Sequence, residues 1–178
     1  MRTAQRMALR RLHAFEQAAA AQVFGSRLDC TRVRVWEQTP WPNWLDTAGR
    51  WLARRPPRAP GVHNAVAFGN WCCFPVQLPA AAEALALGWL IHELAHVWQF
   101  QQLGWRYLWL ALRAQLQAGD AVYDYGGAEN LLRSRAQGAR LQHFNVEQQA
   151  AILQHYYQLR CSAQDTAPYA PFAQDVHG

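Results

Sequence analysis

Apolar residues near the N-terminus recur at the spacing of a helix. Within the first 24 residues the apolar side chains on one face are Met7, Leu9, Leu12, Phe15 and Ala19. Because positions three and four apart share a face of an α-helix, this pattern predicts an amphipathic helix over residues 1–24. Gly25 follows where a helix commonly ends, since glycine adopts the left-handed conformation of a C-terminal cap at little cost.

Two later segments predict strands instead. Residues 30–38, CTRVRVWEQ, alternate two valines on one face with arginine and tryptophan on the other, which is the period of a half-buried strand. Residues 65–74, AVAFGNWCCF, predict a second strand, in which Gly69 and Asn70 indicate a bulge or a bend.

Helical periods dominate the rest of the chain. The predicted helices cover residues 43–52, 80–102, 105–117, 129–142 and 146–160. Residues 163–178 contain proline and no sustained period, so we expect a loosely ordered tail there. The whole pattern predicts one α+β domain over residues 1–178, mainly helical with a small sheet.

The composition agrees with a folded protein and narrows its partners. Hydrophobic residues make up 51% of the chain, including nine tryptophans, and a disordered chain would be depleted in them. Residues 1–60 carry eleven arginines against four acids, and the remainder carries six arginines against eight acids. Because no nucleic-acid-binding motif accompanies this charge, we interpret the basic half as a solvated face and expect no nucleic acid as partner.

No membrane span is expected either. The longest apolar run lies within residues 84–91, far short of the roughly 20 residues that cross a bilayer. The N-terminal region lacks the continuous apolar core of a signal peptide, because it is interrupted by Arg10, Arg11, His13 and Glu16. These features predict a cytoplasmic protein, with export by a secretion system that reads no cleaved signal as the open alternative.

The candidate chemistry lies in the helix predicted over residues 80–102, whose centre reads LIHELAHVW. His92 and His96 are four residues apart, so their Cβ atoms are about 6 Å apart on one face and both rings can bind one cation. Glu93 is rotated by about 100° from His92, which lets its carboxylate reach a water at that cation without becoming a ligand. The alternative is two core histidines bonded to carbonyls, with Glu93 facing solvent. It needs two separate partners, whereas one divalent ion satisfies both rings.

A catalytic zinc site needs a third protein ligand beside an open position. Gln99 and Gln102 occupy the positions where a longer motif would supply glycine and histidine, so the third ligand lies farther along the chain. The candidates are Asp120, Asp124, Glu129, His143, Glu147 and His155. Glu147 is preferred because it begins the helix FNVEQQAAILQHYY, which can pack across the histidine helix. Alternatively, an acid in the first turn behind an Asn145 cap is favoured by the helix dipole alone.

Four segments occur in an order and spacing that resemble a known family. They are AVAFGNWCCFP, LIHELAHVWQFQQLGWRYL, AVYDYG and FNVEQQAAIL. The chain resembles the Vgr-related proteins encoded near type VI secretion genes, relatives of the zincin-like core domain of contractile injection systems. The resemblance covers about residues 22–160, and HELAHVWQ with NVEQQA is its most specific part. It implies a zincin-like metallopeptidase with His92, His96 and Glu147 as Zn²⁺ ligands and Glu93 as general base.

The resemblance also implies how a substrate and the ligands are held. In zincins the strand before the active helix is the sheet edge on which an extended peptide lies antiparallel, and residues 65–74 hold that position. An ordinary buried strand is the alternative, because its aromatic side chains would also fill a core. Glutamate zincins often carry an aspartate four residues after the third ligand to orient a histidine. Here Ala151 stands there, so that histidine lacks its usual partner.

The turn-rich loop AGDAVYDYGG supplies further candidates. Tyr123 and Tyr125 are each placed to donate a hydrogen bond to the oxyanion of a tetrahedral intermediate, and the alternative is that both are packing residues. Asp120 and Asp124 flank them and are candidates to orient a zinc-bound histidine.

These residues support two main hypotheses of function. The first is a zinc-dependent hydrolase that cleaves peptide bonds in a peptide or protein substrate. The second keeps the zinc without catalysis, as a structural or adaptor module of a secretion apparatus with a Vgr-type protein as partner. A third directs the same hydrolase at cell-wall peptides, for which the basic front half is the only indication.

Overall fold

The computed structural model describes residues 8–44, 63–79, 84–107 and 122–177, together with residues 47, 54, 56 and 59. Its strands are β1 (Ala8–Arg10), β2 (Arg34–Glu37), β3 (Val66–Phe68) and β4 (Trp71–Cys73). Its α-helices are α1 (Ala14–Phe24), α2 (Ala84–Leu103), α3 (Gly127–Ala136), α4 (Val146–Cys161) and α5 (Ala170–Gln174). Residues 41–44 are also helical, and Gly25–Arg27 and Leu141–His143 form 3-10 turns. The described part of the chain is therefore α+β with a small sheet, as the sequence predicts.

The sheet is mixed, with the strand order β1-β2-β4-β3. β1 runs antiparallel to β2, β2 runs parallel to β4, and β3 and β4 form an antiparallel hairpin. The single strand predicted over residues 65–74 is therefore wrong, because Gly69 and Asn70 form a tight turn between two strands. Gly69 has a φ of 61°, in the left-handed region that such a turn requires and that glycine adopts without strain.

The hairpin changes which strand lies at the edge. β4, the strand immediately before α2, is an interior strand between β2 and β3, and β3 is the outer strand of the described sheet on this side. The expectation that the edge strand directly precedes the histidine helix is corrected accordingly. The physical reason is the Gly-Asn turn, which reverses the chain and places the second half of the predicted strand beside β2.

The predicted N-terminal helix over residues 1–24 begins later than expected. Residues 1–7 lie outside the described residues, the next three form β1, and α1 follows. The guanidinium of Arg10 explains the strand, because it donates to Glu16 on α1 at 2.6 and 2.8 Å and to Glu37 on β2 at 2.7 Å. This bridge holds β1 beside β2 through residues distant in sequence, which a local helical period does not reveal. Gly25 ends α1 as predicted.

Helix α2 lies at the centre of the hydrophobic core. Its fully buried apolar residues include Leu90, Ile91, Leu94, Ala95 and Val97. It contacts β3, β4 and α1 and packs along α4, whose Ala150, Ile152 and Leu153 are buried in the same core. Gly88 permits the close approach, because a Cβ at that position would clash with the side chain of Gln158 on α4. The two helices that carry the candidate site therefore match their predicted positions and share one core.

The prediction of a loosely ordered tail over residues 163–178 is wrong for residues 163–177, the part that the structure describes. The segment contains α5, and Phe172 within it is fully buried. Asp175 accepts hydrogen bonds from Arg135 and from the backbone N–H of Leu141. The sequence pattern does not reveal this order because a helix of 5 residues has no sustained period.

Other predicted helices are only partly described or are shorter. The helix predicted over residues 105–117 is described only at its start, as is the one predicted over residues 43–52. The helix predicted over residues 129–142 ends at Ala136, shortly before Gly138, which has a positive φ. Among the described residues, no helix is long and apolar enough to cross a bilayer.

Candidate metal centre

Two helices bring three potential metal ligands together. His92 and His96 project from successive turns of α2, and Glu147 lies in the first turn of α4, which packs against α2. The Nε2 atoms of His92 and His96 lie 3.5 and 3.2 Å from the same carboxylate oxygen, Oε2 of Glu147. One potential ligand atom of each residue lies within 4.8 Å of the other two. The structure thus gathers the three residues that the sequence predicts as ligands.

The start of α4 fixes the position of Glu147. The side chain of Asn145 caps the helix by accepting hydrogen bonds from the backbone N–H groups of Glu147 and Gln148, each at 2.9 Å. Oε1 of Gln148 in turn accepts a hydrogen bond from the backbone N–H of Asn145 at 3.1 Å, which completes a capping box. Asn145 also donates to the carbonyl of Val122 at 3.1 Å. The predicted cap is therefore present, and it orders the turn that carries the third candidate ligand.

Two of the three spacings between the donor atoms fit a tetrahedral zinc ion. With zinc–nitrogen distances of about 2.0–2.1 Å, neighbouring ligand atoms of a tetrahedral site are about 3.3 Å apart. The two contacts to Glu147, at 3.2 and 3.5 Å, lie on either side of that value. Two imidazoles and one carboxylate are also a donor set of catalytic zinc sites, which leave a fourth position for water. His92, His96 and Glu147 therefore fit Zn²⁺, the predicted cofactor.

Without a cation, the three side chains form a buried ionic cluster. Burial by itself acts to lower the pKa of His96, but the adjacent Glu147 carboxylate outweighs burial and raises the pKa of His96 to about 9. Burial acts to raise the pKa of Glu147, and the charges of His96 and His92 hold that pKa well below its usual range. At neutral pH the metal-free His96 therefore carries a proton on Nε2, directed at the carboxylate. A cation that binds here displaces that proton.

Glu93 is buried beside this cluster. It is only 4% exposed, and no hydrogen bond or ion pair of its carboxylate is present among the described residues. Burial raises the pKa of Glu93, and the charges of His92 and His96 act against that rise. The alternative of two core histidines requires Glu93 to face solvent, and the burial of Glu93 contradicts it. A buried carboxylate with a raised pKa beside the cluster is suited to accept a proton from a nearby water.

The remaining ring nitrogens of both histidines face glutamine amides. His92 Nδ1 lies 3.1 Å from Oε1 of Gln154, and His96 Nδ1 lies 3.0 Å from Oε1 of Gln99. An amide oxygen only accepts hydrogen bonds, so a neutral His96 that faces Oε1 of Gln99 carries its hydrogen on Nδ1 and directs the Nε2 lone pair at the cluster. Neither glutamine is among the predicted site residues, because the pattern of glutamate zincins places an aspartate where Ala151 stands. The sequence contains one indication of the Gln99 contact: His96 and Gln99 are three residues apart, so they share a face of one helix.

The other candidate ligands that the structure describes do not join the cluster. Asp120 lies outside the described residues. Asp124, Glu129 and His143 are exposed, and each is engaged by a residue close to it in sequence. His155 is bonded to a tyrosine hydroxyl. The third ligand that the geometry supports is therefore Glu147, and Asp124 orients neither histidine of the triad.

The two predicted tyrosines differ in their surroundings. The hydroxyl of Tyr125 lies 2.6 Å from Nδ1 of His155 and donates to Tyr169 at 3.3 Å, so its partners lie outside the triad. Tyr123 is 38% exposed, and its ring centroid lies 6.0 Å from that of His92. Of the two, Tyr123 is the one that the structure places against a ligand ring.

The cluster is largely enclosed by neighbouring side chains. The side chains of His92, His96 and Glu147 are 12%, 6% and 13% exposed. Tyr107 is buried beside them, with its ring centroid 5.8 Å from that of His96. Burial, reinforced by the carboxylates of Glu147 and Glu93, raises the pKa of the Tyr107 hydroxyl, which therefore stays protonated. Tyr107 is a hydrogen-bond donor at the cluster that the sequence pattern does not indicate.

The donor set, the spacing of its atoms and the burial of Glu93 define this candidate centre. These three observations come from the sequence and structure of this chain and not from a related protein. A comparison with protein-family models, with curated proteins and with solved structures finds no match for the chain.

Proposed function

We propose that the protein is a zinc-dependent hydrolase that cleaves peptide bonds. The observation that carries this proposal is the convergence of two imidazole nitrogens and one carboxylate oxygen within 4.8 Å, beside a buried glutamate. A bound zinc ion supplies a Lewis acid toward the scissile carbonyl and makes water more acidic. His92, His96 and Glu147 supply three ligands, which leaves one position of a tetrahedral site for water or substrate.

The neighbouring residues supply proton transfer and hydrogen bonding. Glu93 is the general base, since burial moves its pKa upward, toward the range in which a carboxylate both accepts a proton and returns it. In peptide hydrolysis the proton that Glu93 takes from water passes to the leaving amine. Tyr123 is the stronger of the two predicted tyrosine donors for the oxyanion, and buried Tyr107 is a third candidate.

The relation of helix and sheet supports a zincin-like domain. In zincins an extended peptide pairs with the outer strand of the sheet beside the active helix. Here the outer strand on that side is β3, which contacts α2. We assign substrate pairing to β3 in place of the whole segment 65–74. The resemblance to Vgr-related proteins supports a peptide or protein substrate connected with type VI secretion.

Metal analysis combined with one substitution tests the proposal. Purified protein should contain about one zinc per chain. Glu93→Gln should retain that zinc and lose at least about 100-fold in the rate of peptide cleavage, the scale of general-base catalysis. Cleavage is followed by mass spectrometry on a mixture of unstructured peptides. The control is Glu129→Gln, because Glu129 is an exposed acid outside the cluster and its loss should change neither result. A wild-type protein without stoichiometric divalent metal would refute the proposal.

A zinc-stabilised structural or adaptor module is the second candidate. The observation that favours it is the enclosure of the ligands, none of which is more than 13% exposed in its side chain. In that case zinc should raise the unfolding temperature, and wild type and Glu93→Gln should both bind a Vgr-type protein with equal affinity. Equal behaviour of the two forms in the cleavage assay as well would favour the module over the hydrolase.

A further inference from the structure

Gln99 is a buried polar residue that contacts both helices of the metal centre. It is 2% exposed and lies three residues after His96 on α2. Its Oε1 lies 3.0 Å from Nδ1 of His96, and its Nε2 donates to the carbonyl of Val146 at 2.9 Å and to Oε1 of Gln149 at 3.0 Å. The oxygen and both hydrogens of this amide therefore have partners inside the protein.

The carbonyl of Val146 determines which end of the amide is which. A backbone carbonyl only accepts hydrogen bonds, so the group of Gln99 that faces it must be the NH2 group. The amide oxygen is then the atom that faces His96, and the hydrogen between them must belong to Nδ1 of His96. The lone pair of a neutral His96 is consequently on Nε2, the nitrogen that faces the triad.

The second hydrogen bond of the Gln99 NH2 group adds a further contact to the start of α4. Gln149 donates through its own Nε2 to the carbonyl of Phe144 at 2.8 Å, so its oxygen is the end that faces Gln99. Phe144 and Val146 belong to the short piece of backbone that leads directly into Glu147. Gln99 therefore connects α2 to the turn that carries the third ligand.

From these contacts we infer that Gln99 is a positioning residue for the metal centre. It fixes the tautomer of His96, and it docks the start of α4, with Glu147, on α2. The inference rests on the metal site proposed above. Gln154 makes the corresponding contact to His92, but among the described residues no acceptor for its NH2 group fixes the orientation of its amide. Loss of Gln99 should therefore weaken metal binding more than loss of Gln154.

Zinc affinity and the tautomer of His96 together test this inference. The zinc Kd is measured by competition with a chromophoric chelator, and the ring hydrogen is located by long-range ¹H–¹⁵N correlation in zinc-loaded protein. Gln99→Leu should weaken zinc binding 10- to 100-fold, the usual cost of removing the partner of a metal-bound histidine, and the protected Nδ1–H signal of His96 should disappear. Gln154→Leu should weaken binding less. Gln102→Leu is the matched control, because Gln102 is an exposed glutamine of the same helix, and its zinc affinity should equal that of wild type.

Gln99→Glu separates the two roles and remains informative if Gln99→Leu does not fold. Its carboxylate still accepts from Nδ1 of His96 but cannot donate to Val146, so the His96 signal should persist while zinc affinity falls. Wild-type zinc affinity in Gln99→Leu, or in Gln99→Glu if the leucine variant does not fold, overturns the inference and leaves the metal site standing. A wild-type protein that binds no zinc overturns the metal site and the inference with it.

Discussion

At the residue scale, the candidate centre depends on how each histidine uses its two ring nitrogens. His92 and His96 direct Nε2 at Glu147 and Nδ1 at the oxygen of a glutamine amide. An amide holds the ring without adding a negative charge, whereas the aspartate expected at the position of Ala151 would add one. A Zn²⁺ ion held by these residues would keep more of its positive charge and would be a correspondingly stronger Lewis acid.

The first prediction concerns the metal-free protein and its dependence on pH. Because the pKa of His96 is about 9 in the folded protein and 6.5 in the unfolded chain, its pairing with Glu147 stabilises the fold fully below about pH 6.5. That stabilisation should be lost as the pH rises through about 9, at a cost on the order of 3 kcal/mol in the free energy of unfolding. Urea denaturation of chelator-treated protein at several pH values measures the loss.

Glu147→Gln is the control for this pH dependence. It removes the carboxylate that raises the pKa of His96, so the fall in stability between pH 6.5 and 9 should be smaller in the variant. Comparison of the two proteins isolates this pair from the other buried groups that titrate. Parallel pH profiles for wild type and variant would contradict the assigned ion pair.

The sequence predicts the ligands but not the residues that hold them. His92 and His96 follow from helical spacing. Glu147 is preferred because it begins a helix that can pack across the histidine helix, although the Asn145 cap by itself also favours an acid there. The contact of Gln154 with His92 joins residues 62 apart in the chain, so no local pattern contains it. Gln99 is close to His96 in sequence, but its role depends on carbonyl groups of α4 that only the folded chain brings near.

At the scale of elements, long helices were predictable and short pieces of sheet were not. Helices α2 and α4 have several turns of consistent periodicity, and both occur near their predicted positions. β1 continues the apolar spacing of the helix that follows it, and only its pairing with β2 makes it a strand. In the sequence, the Gly-Asn pair between β3 and β4 is compatible with a bulge and with a hairpin turn. The pairing of β4 with both β2 and β3 in the folded sheet decides for the hairpin turn.

The second prediction tests what holds β1 in place. Arg10 donates hydrogen bonds to the carboxylates of Glu16 and Glu37, whose side chains are 1% and 6% exposed. Arg10→Leu should lower the free energy of unfolding by roughly 3–5 kcal/mol, because it leaves two buried carboxylates without their shared cation. Arg11→Leu removes an exposed arginine next to it and should change stability by no more than about 0.5 kcal/mol. Equal urea midpoints for the two variants would show that the bridge does not fix β1.

At the scale of the whole molecule, the C-terminal segment supports the start of α4. The ring of Phe172 in α5 lies edge-on to Phe144, with centroids 5.4 Å apart, and the guanidinium of Arg135 lies 5.6 Å from the centre of the Phe172 ring. Asp175 pairs with Arg135 at 3.1 Å. Phe144 directly precedes the cap of α4, so parts of the chain that are distant in sequence meet where Glu147 is positioned.

The last prediction follows from this packing. Phe172→Ala should lower the free energy of unfolding by about 3–5 kcal/mol, because a fully buried phenylalanine leaves a cavity when it is truncated. The control is Gln174→Ala, an exposed position of the same helix, which should stay within about 0.5 kcal/mol of wild type. Zinc affinity of the folded Phe172→Ala protein should fall less than that of Gln99→Leu, since Phe172 contacts the turn before α4 and Gln99 contacts a ligand ring. If Phe172→Ala unfolds at the wild-type urea midpoint, the C-terminal segment is not part of the cooperative core. That result would agree with the loosely ordered tail that the sequence pattern alone predicts.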